Sequence, residues 1–169
     1  MDIEKAKNEV NEMFQSLAPM VEEIVNKYSI NIDKIILELT DSASLTNDEI
    51  RNKMLALSAE AYIFGMSKDA SLLKQECAET LLKEAQAVVY NNTDGTVPVR
   101  TNASIIKTTD SQVVNLLYSA VGNLMKTKLD ETHRMINILN SILISRNAEA
   151  KLNVASSVDV ESRRQILNE

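Results

Sequence analysis

The sequence contains few aromatic residues and few residues that form turns. It has no Trp and two Phe, and aromatics make up 4% of its 169 residues. Three Gly and two Pro are fewer than the many turns of all-β and α/β folds require. A core must therefore be built from Leu, Ile, Val, Met and Ala, which favours packing of helix against helix. The hydrophobic fraction of 44% is sufficient for one globular domain.

Cysteine and histidine are equally scarce. Cys77 and His133 are the only residues of their types, which excludes an internal disulfide framework and zinc sites rich in Cys or His. Cys77 lies among apolar residues at helical spacing, so we interpret it as a core thiol. The acidic clusters, such as Glu76 and Glu79, lack the Glu-x-x-His motifs of helical di-metal sites and are interpreted as solvated helix faces. With no phosphate-binding glycine loop and no nucleophile motif, we predict no metal, no cofactor and no enzymatic activity.

Long apolar runs are also missing. The first ten residues, MDIEKAKNEV, lack the apolar stretch of a signal peptide. No run approaches the roughly 18–20 apolar residues that a transmembrane helix needs. We therefore expect a cytoplasmic protein that does not associate with membranes.

The charge of −6 is distributed unevenly along the chain. Residues 1–95 carry nine basic and seventeen acidic residues, a net charge of −8. Residues 96–152 carry seven basic and four acidic residues, a net charge of +3, and residues 153–169 have a net charge of −1. A chain with this overall charge is not a general polyanion binder. If part of it contacts nucleic acid, we expect that part to be the second half.

Apolar residues in the first 45 positions recur at helical spacing. The pattern predicts an amphipathic helix from about residue 2 to Tyr28, with a kink or restart at Pro19, which has no amide hydrogen. The spacing of apolar residues within residues 30–39 predicts a further short helix. Together, residues 1–45 are predicted to form an N-terminal helical segment. The first apolar stripe consists of Ile3, Ala6, Val10, Met13 and Leu17.

A long helix is predicted to begin after Thr46 and to end near Val89. Thr46 and Glu49 have the spacing of a capping box, in which each side chain accepts a hydrogen bond from the other residue's amide. Beyond Gly65 the apolar stripe shifts to a new set of positions. The first stripe, with the spacing of a coiled-coil seam, is Ile50, Met54, Leu57, Ala61 and Phe64, and the second is Met66, Ala70, Leu73, Cys77, Leu81, Ala85 and Val88.

Residues 91–109 are predicted to form a polar connector. Residues 91–95 are rich in Asn, Asp and Gly, which is typical of a turn. Val97, Pro98 and Val99 favour an extended chain. A small hairpin that includes residues 105–106 is the alternative for this connector.

Asp110 is predicted to cap a last long helix that ends near Asn147. This helix has two apolar stripes, so it needs neighbours on two sides, either the N-terminal helices or another subunit. Residues 153–169 are polar and are predicted to be a flexible tail with at most a short helix. The expected fold is all-α: a long antiparallel helical hairpin over residues 46–152 with additional N-terminal helices, bundle-like or coiled-coil-like and oligomeric. The two stripes include Val114, Leu117, Val121 and Leu124 on one side and Val113, Ala120, Met125 and Leu129 on the other.

The methionines lie on these apolar stripes. Met54, Met66, Met125 and Met135 are interpreted as flexible core residues. The alternative is that they form an adaptable surface for a partner protein.

Basic residues concentrate in the second half of the chain. They can contact phosphates of a nucleic acid without reading its sequence, and Tyr90 and Tyr118 can stack on bases. The alternative is that these cations pair with the acidic first half. The candidate phosphate ligands are Arg100, Lys107, Lys126, Lys128 and Arg134.

The order of segments in the second half supports a family resemblance. A helix ending in residues 82–90 is followed by the turn at 91–95, the connector, and a helix that Asp110 opens. That helix carries residues 114–118, which include an aromatic, and ends near residues 144–147. Over roughly residues 50–150 this arrangement resembles the UvsY-type phage recombination mediators.

The resemblance implies an oligomer that binds single-stranded DNA and loads a RecA-like recombinase. The partners it implies are further copies of the chain, single-stranded DNA and the recombinase. The alternative function is that of a structural, adaptor or inhibitor protein, which presents a helical surface to a protein partner and does not bind nucleic acid.

Overall fold

The computed structural model describes residues 3–39 and 44–166, and helices account for nearly all of these residues. Side chains are described up to Val154, except those of residues 3, 5, 6 and 153. No strand occurs in the described ranges, so the all-α prediction is confirmed. The helices are α1 (Ile3–Glu38), α2 (Asn47–Asn91), α3 (Val97–Lys107) and α4 (Thr109–Ile166).

The first helix, α1, is continuous through Pro19. The helix therefore does not restart at Pro19, and the prediction of a separate helix over residues 30–39 was wrong. Pro19 lies on an exposed part of the helix, so its ring does not disturb the packed face. Val21, Val25 and Ile32 are buried, so one face of α1 packs against the other helices. The free energy of this packing outweighs the loss of the one backbone hydrogen bond that Pro19 cannot donate.

The capping box at the start of α2 is confirmed. The Glu49 amide donates to Thr46 Oγ1 at 3.3 Å, and the Thr46 amide donates to Glu49 Oε2 at 2.7 Å. The Thr46 hydroxyl also donates to Glu49 Oε2 at 2.7 Å, and this bond, together with the one from the Thr46 amide, lowers the pKa of the exposed Glu49 carboxyl. At the other end of α2 the predicted turn is present, with Gly95 at a φ of 124°, a conformation that side chains with a Cβ rarely adopt.

The connector contains a helix, α3, which neither the extended chain nor the hairpin anticipated. Pro98 lies within the first turn of α3, where its missing amide hydrogen costs nothing. Pro98 is also one of the residues on which the prediction of an extended chain rested. Only Thr108 separates α3 from α4, and its hydroxyl donates to the Ser104 carbonyl at 2.8 Å. Both Ser104 and Thr108 are buried, because α3 folds back along the end of α2.

The last helix, α4, runs from Thr109 to Ile166. It is longer than predicted, because it continues past the predicted end near Asn147 and through residues 153–166, for which at most a short helix was expected. Helix-forming residues such as Ala148, Glu149 and Ala150 follow Asn147, so nothing in this part of the sequence stops the helix. Asp110 lies in the first turn of α4 and is not the residue that precedes the helix.

The helices form a bundle in which α1 is antiparallel to α2 and parallel to α4. Asn31 of α1 donates to Glu60 of α2 at 3.3 Å. The α2–α4 pair is antiparallel, because Leu129 lies against Gly65 near the middle. At the far end, Arg146 donates to the Leu45 carbonyl at 2.6 Å. Both α1 and α2 pack on α4, so the N-terminal helix provides the second neighbour that α4 needed.

The hydrophobic core lies toward the end of the bundle where α1 meets α2. Phe64 and Met125 are among its fully buried side chains, and Met54 and Met135 pack at its edge. Met66 is exposed, so it is not a core methionine. Cys77 is also exposed, which corrects the interpretation of a core thiol. The cluster comprises Val21, Val25, Ile32, Leu39, Ile50, Leu57, Phe64, Val121, Met125, Leu139 and Leu143.

Candidate partner-binding surfaces

Two of the predicted nucleic-acid ligands contact each other. The Arg100 guanidinium lies over the Tyr90 ring, 4.3 Å from its centroid. Arg100 Nε also donates to the Tyr90 carbonyl at 2.9 Å. A cation at this place satisfies a free carbonyl at the C-terminus of α2 and interacts favourably with the helix dipole. The pair therefore joins α2 to α3.

Lys128 is engaged in an ion pair within the bundle. Its ammonium group pairs with the carboxylate of Asp33 on α1. Asp33 also accepts a hydrogen bond from the buried Ser29 hydroxyl at 2.8 Å. One side of α4 is thus held to α1 by a polar contact as well as by apolar packing. This agrees with the alternative that cations of the second half pair with acidic residues of the first.

The remaining predicted ligands lie far apart. Lys126 and Arg134 are exposed on α4, about 12 Å apart at 1.5 Å per residue, and Asp130 lies one turn from each of them. The exposed Lys107 ends α3, roughly 28 Å along the bundle from Lys126. Tyr118 is partly buried. The structure brings Arg100 to Tyr90, but it does not gather the five cations into one patch.

Acidic groups do not converge on a cation site in the part of the chain that the structure describes. No three side chains of His, Cys, Asp or Glu come together there as a metal ion would require. Glu79 instead accepts a hydrogen bond from Lys83 at 2.7 Å, and this contact lowers the pKa of the Glu79 carboxyl. Glu38 has a lowered pKa for the same reason, through a hydrogen bond from Lys53.

An apolar groove lies between α1 and the first third of α4. Its volume is about 440 Å³, within the range of natural binding clefts. On the α1 side, residues 7–16 are all exposed, and Val10 and Phe14 are 67% and 68% exposed. The groove is open because residues 7–16 of α1 are not covered by the bundle, whereas one face of the same helix is buried from Val21 onward. The lining is Val10, Met13, Phe14, Leu17, Ala18, Val21, Glu22, Leu116, Ala120 and Leu124.

The part of α1 beside this groove is acidic overall, and Glu22 is the one charged residue in the groove lining. Residues 7–23 contain four glutamates and one lysine, a net charge of −3. The facing residues 109–125 of α4 contain one aspartate and no basic residue. An apolar channel beside a negatively charged helix segment suits a ligand that is apolar on one face and carries a positive charge.

A second apolar surface covers the outer side of α2. Its residues recur with spacings of four, three and four, which repeat every eleven positions. We call this row the α2 seam. All of its residues are exposed, including Leu55 (72%) and Leu73 (61%). The α2 seam consists of Leu55, Ala59, Tyr62, Met66, Ala70, Leu73, Cys77, Leu81, Glu84 and Val88.

Sequence reasoning found part of both surfaces but assigned them to the interior. The stripe from Met66 to Val88 was visible, yet in the second half of α2 it is Ser71 and Ala78 that are buried. On α1, Val10 and Met13 were recognised and Phe14 was missed. The signal for an outer surface was present, because α1 and α2 each carry apolar residues on two faces.

Comparisons with known proteins identified no relative of this chain. A scan against protein-family models found no match, and searches of curated proteins and of solved structures found none either. No helix in the described ranges is both long enough and apolar enough to cross a membrane.

Proposed function

We propose that this protein is a non-catalytic cytoplasmic adaptor whose α1–α4 groove binds an amphipathic helix of a partner protein. The observation that carries the proposal is the exposed groove of about 440 Å³, whose lining is apolar except for Glu22. Helices bind such grooves through apolar residues at positions i, i+3 or i+4, and i+7. The net negative charge of residues 7–23 favours a partner helix that also carries Lys or Arg.

Phe14 is the expected anchor of this interaction. Large aromatic side chains that become buried at the centre of an interface commonly contribute about 2 kcal/mol or more. Phe14 is more than half exposed without a partner, so a bound helix can bury it. Its replacement by Ala is expected to weaken binding by roughly 30-fold, which corresponds to about 2 kcal/mol.

The test uses a synthetic helical peptide with Leu at i, i+4 and i+7 and Lys on both flanks. A control peptide carries Glu in place of every Lys. We expect fluorescence anisotropy to show binding of the basic peptide, weaker binding of the acidic one, and a loss with Phe14→Ala. Leu37→Ala alters an equally exposed residue of α1 outside the groove and should bind like the unchanged protein. Equal affinity of the Phe14 and Leu37 variants, or no binding of the basic peptide, would refute the proposal.

Single-stranded DNA binding of the recombination-mediator type is a second candidate function. The observation in its favour is the positive second half, in which Lys107, Lys126 and Arg134 are exposed. This function predicts that labelled single-stranded DNA binds at low salt and that affinity falls steeply as salt rises. Replacement of Lys126 and Arg134 by Glu should weaken binding to all sequences alike. Failure to bind DNA even at low salt would remove this candidate.

A further inference from the structure

The α2 seam is arranged like the contact line of a pair of packed helices. Eleven residues make close to three helical turns, so a row that repeats at this interval stays on one side of a nearly straight helix. The α2 seam runs from Leu55 to Val88, about 50 Å at 1.5 Å per residue. Large residues such as Tyr62 and Leu73 alternate with the small Ala59 and Ala70, which allows side chains from a facing helix to fit between them.

The α2 seam lies opposite the face of α2 that packs inside the bundle. The internal face is marked by the buried residues Ile50, Leu57 and Phe64. At 100° per residue, the centres of the two rows are separated by roughly 150° around the helix. The helices α1, α3 and α4 therefore leave this side of α2 uncovered. The seam is thus open to a contact outside the single chain.

The chain exposes more surface than a compact monomer of its mass does. The accessible surface is 12302 Å², whereas a compact monomer of 18.8 kDa exposes about 8,300 Å². Exposed side chains of the α2 seam, such as Leu55 (72%), Tyr62 (72%) and Leu81 (63%), contribute to this excess surface. Long exposed rows of apolar residues, here interrupted by Glu84, are also uncommon on monomers, in which large patches mark interaction sites.

We propose that the α2 seam is covered by α2 of a second copy, giving a symmetric dimer. A helix of about 50 Å with the same eleven-residue repeat matches the α2 seam along its whole length, and α2 itself has both properties. A two-fold axis then makes the contact complementary to itself, because each seam supplies both protruding and small residues. The α1–α4 groove lies on other helices, so this inference does not rest on the proposed function.

The experiment measures solution mass against protein concentration by light scattering and analytical ultracentrifugation. We expect the unchanged protein to approach twice 18.8 kDa as its concentration rises. Leu73→Glu places a charge at the centre of the α2 seam and should return the mass to that of the monomer at the same concentrations. Leu37→Glu introduces the same charge outside the seam and should leave the dimer intact. Far-UV circular dichroism establishes that both variants remain helical.

Cys77 supplies a second measurement that needs no variant. It is exposed in the single chain and lies in the α2 seam, so dimer formation should cover it. We expect its reaction with a thiol reagent to slow at least tenfold between dilute and concentrated protein. A monomer at all concentrations, or a thiol reactivity independent of concentration, would overturn the proposal. Phe14→Ala should leave the dimer unchanged, so failure of the groove and failure of the α2 seam are separable.

Discussion

The stability of the bundle should depend strongly on Leu57, a fully buried residue of α2. Its side chain belongs to the apolar cluster that α1, α2 and α4 share. Leu57→Ala removes three carbon atoms from this cluster and leaves a cavity, because the long helices around it can close only partly. Leu37→Ala is the matched control, because Leu37 is 71% exposed and lies outside both the groove and the α2 seam.

The expected cost at Leu57 is about 3–5 kcal/mol, the range observed for fully buried leucines replaced by Ala. For a chain of this length, each kcal/mol lowers the melting temperature by about 2–4 °C. Leu57→Ala should therefore melt roughly 6–20 °C lower than the unchanged protein. Leu37→Ala should change the free energy of unfolding by no more than about 0.5 kcal/mol, since an exposed side chain loses little contact.

Urea unfolding followed by circular dichroism at 222 nm measures both values. The midpoint should fall for Leu57→Ala, while the dependence of the free energy on urea stays the same. The comparison is made at one protein concentration, because a dimer gains stability with concentration. A loss below about 1 kcal/mol at Leu57, or equal losses at Leu57 and Leu37, would show that the helices do not pack as described.

Three further predictions concern local contacts. Thr46→Ala should destabilise α2 by about 1 kcal/mol, measured by urea unfolding; an unchanged midpoint would contradict the capping box. Because hydrogen bonds from Thr46 lower the Glu49 pKa in the folded protein, this contribution is present above the ordinary glutamate pKa and is lost as the pH falls through the lowered value. The Glu49 pKa, followed by NMR titration, should rise in the variant. Gly95→Ala should lower the melting temperature, at a cost of about 1 kcal/mol or more, because a φ of 124° strains any residue with a Cβ; an equal or higher melting temperature would refute this. A double-mutant cycle on Asp33 and Lys128 should give a coupling of about 0.5–1 kcal/mol, and a value near zero would mean that the ion pair does not hold α4 to α1.

Several elements of the fold follow from local sequence alone. The Thr46–Glu49 capping box and the turn before Gly95 depend on contacts between residues close in the chain, so their residue types suffice to predict them. The near absence of aromatic and turn-forming residues determined the all-α class. Helical periodicity also identified the apolar rows of α1, α2 and α4, because the spacing of side chains around a helix does not depend on its neighbours.

Only the tertiary structure decided which apolar row faces inward. The α2 seam and the row of Leu57 and Phe64 have similar periodicity, and the packing of α1 and α4 buries one and leaves the other exposed. The same packing leaves Cys77 exposed on the surface and brings Lys128 next to Asp33. Burial and ion pairing depend on contacts between residues that are distant in the chain, so periodicity cannot predict which residues are buried or paired. The sequence by itself thus determined that α2 has two apolar faces, and the bundle determined that one of them faces outward.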